Sequence, residues 1–241
     1  MHTPRQWHDP RTHLIRTQPD NTTLYFAPQI LHEIALKFQN NFNGLVTYAV
    51  KANPGEEVLN NLVSAGIKTF DVASPNEIDA VRAVCSDAVL HYNNPVRSRV
   101  EIAKAVLMDV RSYSIDCIGE LEKLNAVPRT CEISVRLALP VKGAAYDFGS
   151  KFGVGPDMAA ALLRRVSEMG FRPSLTFHPG TQCSDPLVWG VYIAAAARVA
   201  RAANITLERL NVGGGFAAHR VGQAPDLKRI FDHIHASVNE S

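Results

Sequence analysis

Seven short runs rich in apolar and β-branched residues recur along the chain, and a helix-length segment follows each of them. The runs are LVTYAV (45–50), KTFDVA (68–73), AVLHYN (88–93), RSYSID (111–116), EISVRLAL (132–139), PSLTFH (173–178) and LERLNV (207–212). Between them, segments such as EEVLNNLVSAG, PNEIDAVRAV, SRVEIAKAVL, GELEKLNAV, PDMAAALLRRVSEMG and PLVWGVYIAAAARVARAAN repeat apolar residues at three-to-four spacing. Strictly alternating strand and helix predicts a parallel sheet with crossover helices. The punctuation agrees. Ser74-Pro75-Asn76-Glu77 reads as a serine cap with proline at the first helical position and glutamate at the third, while Gly66 and Gly170 stand where helix C-caps belong. Seven such units in about 200 residues point to a (β/α)8 barrel of the TIM type rather than to an open doubly wound sheet.

The polar residues fall where a barrel would use them. Lys51, Asp71, Asn94, Asp116, Arg136, His178 and the glycines 213–215 all stand at, or just past, the C-terminal end of a predicted strand. On a barrel these ends form one rim, which carries the active site. Lys51, in YAVKANP, is either a solvated strand end or an amine delivered to that site. In LNVGGGFAAH a strand runs into Gly213-Gly214-Gly215, which is either a tight turn or a cradle of backbone N–H groups for a phosphate. The spacing is not GxGxxG, because Phe216 follows the triplet. TFHPGTQC places His178 at a strand end, with Gly180 and Thr181 beyond it. An amine, a phosphate cradle and a flat imidazole together suit a phosphorylated aromatic aldehyde, and pyridoxal 5'-phosphate is the cofactor that fits.

The net charge of +2, with both signs interspersed, argues against a dedicated nucleic-acid or polybasic membrane surface, and no stretch has the length and apolarity of a membrane span. Cys85, Cys117, Cys131 and Cys183 form no CxxC pair, so no metal site is expected and a reducing cytoplasm is the simplest location. Residues 1–20, with three prolines, read as a flexible N-terminal arm, and residues 21–241 as one barrel domain.

YAVKANP, FDVASPNEID, HYNNP, SKFGVG, FHPGTQC and LNVGGGF, in this order, resemble the ornithine, lysine and diaminopimelate decarboxylases of the alanine-racemase-like, fold type III barrel group. The resemblance covers roughly residues 20 to 240. It implies that Lys51 forms the Schiff base with pyridoxal phosphate, that His178 stacks on the cofactor, and that Thr181 stands where the family has a phosphate-binding serine. It further implies that Gly213, Gly214 and Gly215 hold the phosphate and that Asp71 and Arg136 line the cofactor pocket, with Glu77 a weaker match; Asn94 and Lys151-Phe152-Gly153 match scaffold positions.

The implied activity is decarboxylation of a basic amino acid, ornithine or lysine in polyamine biosynthesis, by a homodimer. The family's Glu-Pro-Gly-Arg segment on an eighth strand, and a C-terminal β-domain with a reactive cysteine, have no counterpart here. The expectation is therefore a barrel of about seven units, truncated before its last strand. In the family LYFAPQIL would begin with a strand of the second domain. A non-catalytic pyridoxal-phosphate-binding or homeostasis protein, an inactive decarboxylase fragment and a related racemase are the other readings.

Overall fold

The computed structural model describes residues 6–140, 151–219 and 225–241. Seven parallel strands form one sheet in the sequential order β1 to β7. They are β1 (Tyr48–Ala49), β2 (Thr69–Val72), β3 (Val89–Tyr92), β4 (Ser112–Ile115), β5 (Glu132–Arg136), β6 (Arg172–Thr176) and β7 (Leu210–Asn211). Each lies inside a run read as a strand, except that β6 begins one residue before its run, at Arg172. The two outermost, β1 and β7, keep only two residues each, because a strand paired on one side alone receives half the ladder hydrogen bonds that extend a central one.

The crossovers are helices α3 (Glu56–Ser64), α4 (Pro75–Val84), α5 (Arg99–Leu107), α6 (Ile118–Lys123), α7 (Pro156–Glu168) and α8 (Pro186–Ala203), preceded by α1 (Pro10–Thr17) and α2 (Pro28–Asn41) and followed by α9 (Leu227–Asn239). The expected caps are present: Ser74 Oγ accepts from Glu77 N–H, and Gly66 and Gly170 adopt φ of 90° and 80°. Ser98 and Glu101 form a full capping box on α5. Within the segment read as an arm, Asp9 caps α1, none of whose residues is buried. LYFAPQIL enters no strand: Leu24 is 94% exposed and helix α2 starts at Pro28.

Alternation along the strands separates two environments. Phe70, Leu90, Tyr113, Ile133 and Leu175 are fully buried in the apolar layer beneath the helices. The alternate residues, Asp71, His91, Ser112, Glu132, Ser134 and Thr176, line the hollow enclosed by the sheet. Buried Arg97 ties two strand ends together, donating to Tyr92 O, Asn94 O and Ser114 O with its guanidinium over the Tyr92 and Tyr113 rings. Beside the outer edges of β1 and β7, Phe38 of α2 and Phe42, the residue that caps its C-terminus, meet Phe231 of α9 edge-on, and Phe216 completes the cluster.

Candidate functional site

A cavity of about 580 Å³ opens at the C-terminal ends of the strands and runs down inside the sheet. Its lining includes Lys51, Asp71, Arg136, His178, Gly213, Gly214 and Gly215, so seven of the eight residues to which the resemblance gives a full cofactor role converge on one space. Thr181, in the loop after His178, is half-buried and does not line it. Glu77 is elsewhere too: its carboxylate accepts from Ala73 N–H at 2.9 Å and so closes the start of α4. Asn94 bridges β2 and β3 by donating to Ala73 O.

Lys51 sits in a 3₁₀ turn, Val50–Ala52, that begins where β1 ends, which lifts its exposed side chain onto the rim. His178 follows β6 by two residues. Gly180 N–H donates to His178 Nδ1 at 3.1 Å, so the neutral ring carries its proton on Nε2. Burial, together with the charges of Arg136 and Lys51, lowers the His178 pKa to about 4; the ring is uncharged at neutral pH. Asp71 responds in the opposite direction. Burial raises it to about 6, against hydrogen bonds from Asn93 and Thr47 and the charges of Lys51 and Arg209 that pull it down, and its Oδ1 has no hydrogen-bond partner. Burial also lowers the Arg136 pKa, and its guanidinium lies 5.4 Å from the Phe152 ring.

Phe152 belongs to the 150–155 motif, whose Ser150 lies outside the described residues. The rest docks on the end of β5: Val154 N–H donates to Arg136 O, Ala138 N–H to Val154 O, and Gly153 N–H to Asp116 Oδ2.

The glycine loop is shaped by close approach to the His178 loop. A Cβ at Gly213 would lie 2.2 Å from Phe177 O, and one at Gly215 only 1.8 Å from Gly180 O; both residues have positive φ. Gly213 N–H donates to Asn211 Oδ1, Cys183 N–H to Gly215 O, and Trp189 Nε1–H to Val212 O. The loop is thus backbone laid against backbone, with no side chain to shield it from an anion.

Sequence reasoning overlooked the charges deeper in the same cavity. His91, Ser112, Glu132 and Arg209 line its floor. The signal was legible: each stands two or four residues before a residue at a strand end on the rim (Asn93, Asp116, Arg136 and Gly213), and a strand period of two puts them on the same face.

An amine, a neutral imidazole, a bare glycine loop and an unpartnered buried carboxylate oxygen fit pyridoxal phosphate, and the cavity has the size of a small-molecule site, about 300–1,000 Å³. The family described as pyridoxal-dependent decarboxylase, pyridoxal binding domain, matches residues 29–241. A lysine/ornithine decarboxylase of Selenomonas ruminantium is 30% identical over 200 residues, covering 80% of this chain and 51% of that protein. A solved structure of a SrLDC mutant in complex with PLP superposes with a TM-score of 0.84 at 26% identity, covering 100% of this chain and 64% of the other. A lysine/ornithine decarboxylase from Vibrio vulnificus complexed with putrescine shares the fold, with a TM-score of 0.81 at 22% identity and coverage of 95% and 62%. The chain spans about half the length of the curated relatives it matches. With its seven-stranded parallel sheet and rim cavity, the chain belongs to the pyridoxal-dependent decarboxylases and carries their pyridoxal-binding domain.

Proposed function

We propose that this chain is the cofactor-binding part of a pyridoxal-phosphate-dependent decarboxylase acting on a basic amino acid, ornithine or lysine, in polyamine biosynthesis. The observation that carries the reading is the convergence of Lys51, Asp71, Arg136, His178 and Gly213–Gly215 on one cavity at the strand C-termini.

Each side chain has a task that its surroundings suit. Lys51 Nζ would hold the cofactor through its aldehyde, and the Gly213–Gly215 loop would take its phosphate, with the Gly213 N–H donated to Asn211 Oδ1 and so fixing the turn. His178, uncharged because it is buried beside two cations, offers a flat apolar face to an aromatic ring. Lys51 and Arg136 give the rim a positive potential that draws in the phosphate and an α-carboxylate. Asp71, with a pKa near 6, is mostly ionised at neutral pH and balances those cations. When bound, the cofactor's ring accepts the electron pair released as carbon dioxide leaves the substrate. The complete enzyme is proposed to work as a homodimer in a reducing cytoplasm, with all four cysteines as free thiols. None of the helices among the described residues is long and apolar enough to cross a membrane.

The test is covalent trapping. Incubation with pyridoxal phosphate, borohydride reduction and peptide mass analysis should place the label on Lys51, and Lys51→Ala should abolish it. Label distributed over Lys68 and Lys104 as heavily as over Lys51 would refute the assignment.

A further inference from the structure

The floor of the cavity holds a set of charges that the proposed chemistry leaves unused. Arg209, the residue just before β7, places Nη2 3.1 Å from Glu132 Oε2 and Nη1 3.4 Å from His91 Nε2. His91 Nδ1 in turn stands 2.7 Å from Ser112 Oγ. A guanidinium has donors only, so His91 Nε2 accepts, and the proton of the neutral ring sits on Nδ1 and is donated to Ser112. Burial and the adjacent Arg209 charge keep this ring neutral, with its pKa lowered to about 4. Glu132 is 6% exposed, which makes its guanidinium partner costly to lose.

These four residues belong to strands that are not all neighbours. β7 pairs with β6 alone, through Leu175↔Leu210 and Thr176↔Asn211. Two ladder pairs leave the tilt of an edge strand weakly determined. Yet the glycine loop begins two residues after β7, and its fit against residues 177–180 leaves no room even for a methyl group at Gly213 or Gly215. Backbone bonds to β6 and the Trp189 and Cys183 contacts hold its outer side and the loop end, and from the inner side Arg209 reaches from its start across the hollow to β5 and β3.

We propose that Arg209 is a positioning residue for the phosphate loop: its ties to Glu132 and His91 across the barrel interior set the height and tilt of β7, and thereby aim the backbone of Gly213–Gly215. The inference rests on the reading of that loop as the phosphate cradle.

Titrating the full chain with pyridoxal 5'-phosphate and, separately, with pyridoxal distinguishes the possibilities. Arg209→Met and Glu132→Gln should each weaken the phosphorylated ligand roughly three- to tenfold and leave pyridoxal within about twofold, and the double variant should be no weaker than Arg209→Met, because the pair acts as a unit. Arg209→Lys, which keeps the charge but not the planar fork, should recover only part of the loss. A cofactor-free readout comes from Trp189, bonded to Val212 O and stacked on Phe216; in a Trp7→Phe background its emission should shift when Arg209 is replaced. Equal weakening of both ligands would mean general destabilisation and would overturn the proposal. So would unchanged or tighter binding by Glu132→Gln, since that variant retains the Arg209 charge and removes only its anchor. A wild-type chain that takes up pyridoxal but shows no preference for its phosphate overturns the cradle reading, and this inference with it; a wild-type chain that prefers the phosphate while the variants match it overturns the inference alone.

Discussion

Ile133 and Ser134 are neighbours on β5, and their surroundings have little in common. Ile133 is fully buried in the apolar layer under the helices. Ser134 is 4% exposed, lines the cavity, and its Oγ has no hydrogen-bond partner. The contrast recurs on β2, where Phe70 is buried in the core and Asp71 leaves an orphaned oxygen in the hollow. Orphaned polar atoms occur on both sides, the Tyr92 and Tyr113 hydroxyls in the packed layer and Asp71 Oδ1 and Ser134 Oγ in the hollow, but only the latter two line a cavity that a ligand can enter. A native core tolerates few such atoms, and the pair that faces open space is placed to be satisfied by something bound there.

Truncating each neighbour on β5 gives the largest test of that contrast. Ile133→Ala should cost about 2–5 kcal/mol in urea unfolding, from lost transfer energy and the cavity left behind. Ser134→Ala should lie within about 0.5 kcal/mol of wild type or be slightly stabilising, because it removes an unpaired buried hydroxyl. A loss at Ser134 as large as that at Ile133 would show the two faces to be energetically alike.

How much of this was legible in the sequence follows the same division. All seven strands and their crossover helices could be read, because apolar alternation and helical period record burial on the helix side directly. The rim residues could be read because they end strands. Three parts were missed. The His91–Ser112–Glu132–Arg209 floor joins residues up to 118 positions apart, and an isolated polar residue inside a strand looks like noise until the barrel brings four together. Helix α1 was read as an arm because it buries nothing, although Asp9-Pro10 is a sound N-cap followed by a first-turn proline. Thr181 carried the expected hydroxyl at the expected place in the loop, yet a strand-end pattern cannot say which way a loop turns.

The glycine loop probes the boundary between the two faces. Gly215→Ala forces a methyl group against Gly180 O at a residue whose φ is 80°, and should cost roughly 2–3 kcal/mol together with much of the affinity for the cofactor. Gly214→Ala meets nothing closer than His178 Nε2 at 4.0 Å, and its cost to folding should stay below about 0.5 kcal/mol. Thermal melts of the two variants without cofactor read the difference; equal destabilisation would mean that close backbone approach is not what selects glycine here.

The smallest expected effect is also the one whose sign is least intuitive. Asp71 has a folded-state pKa of about 6 against an ordinary value of 3.8, chiefly because burial disfavours its charge. Below about pH 3 the carboxyl is protonated in both the folded and the unfolded chain, so it imposes no penalty. As the pH rises from there, the unfolded chain ionises first, and the folded state loses stability until the pH passes about 6, beyond which the loss is constant. Asparagine has the same shape and no charge to desolvate. In the absence of cofactor, Asp71→Asn should therefore match wild type near pH 3 and be more stable by about 1–2 kcal/mol at pH 7. With pyridoxal phosphate present the advantage should shrink or reverse, since the carboxylate then has a charged ligand to face. Urea unfolding at the two pH values, with and without cofactor, measures all four states. A variant less stable than wild type at pH 7 without cofactor would mean that the Asp71 carboxylate is already satisfied by Lys51, Asn93 and Thr47, and that this part of the hollow is complete before anything binds.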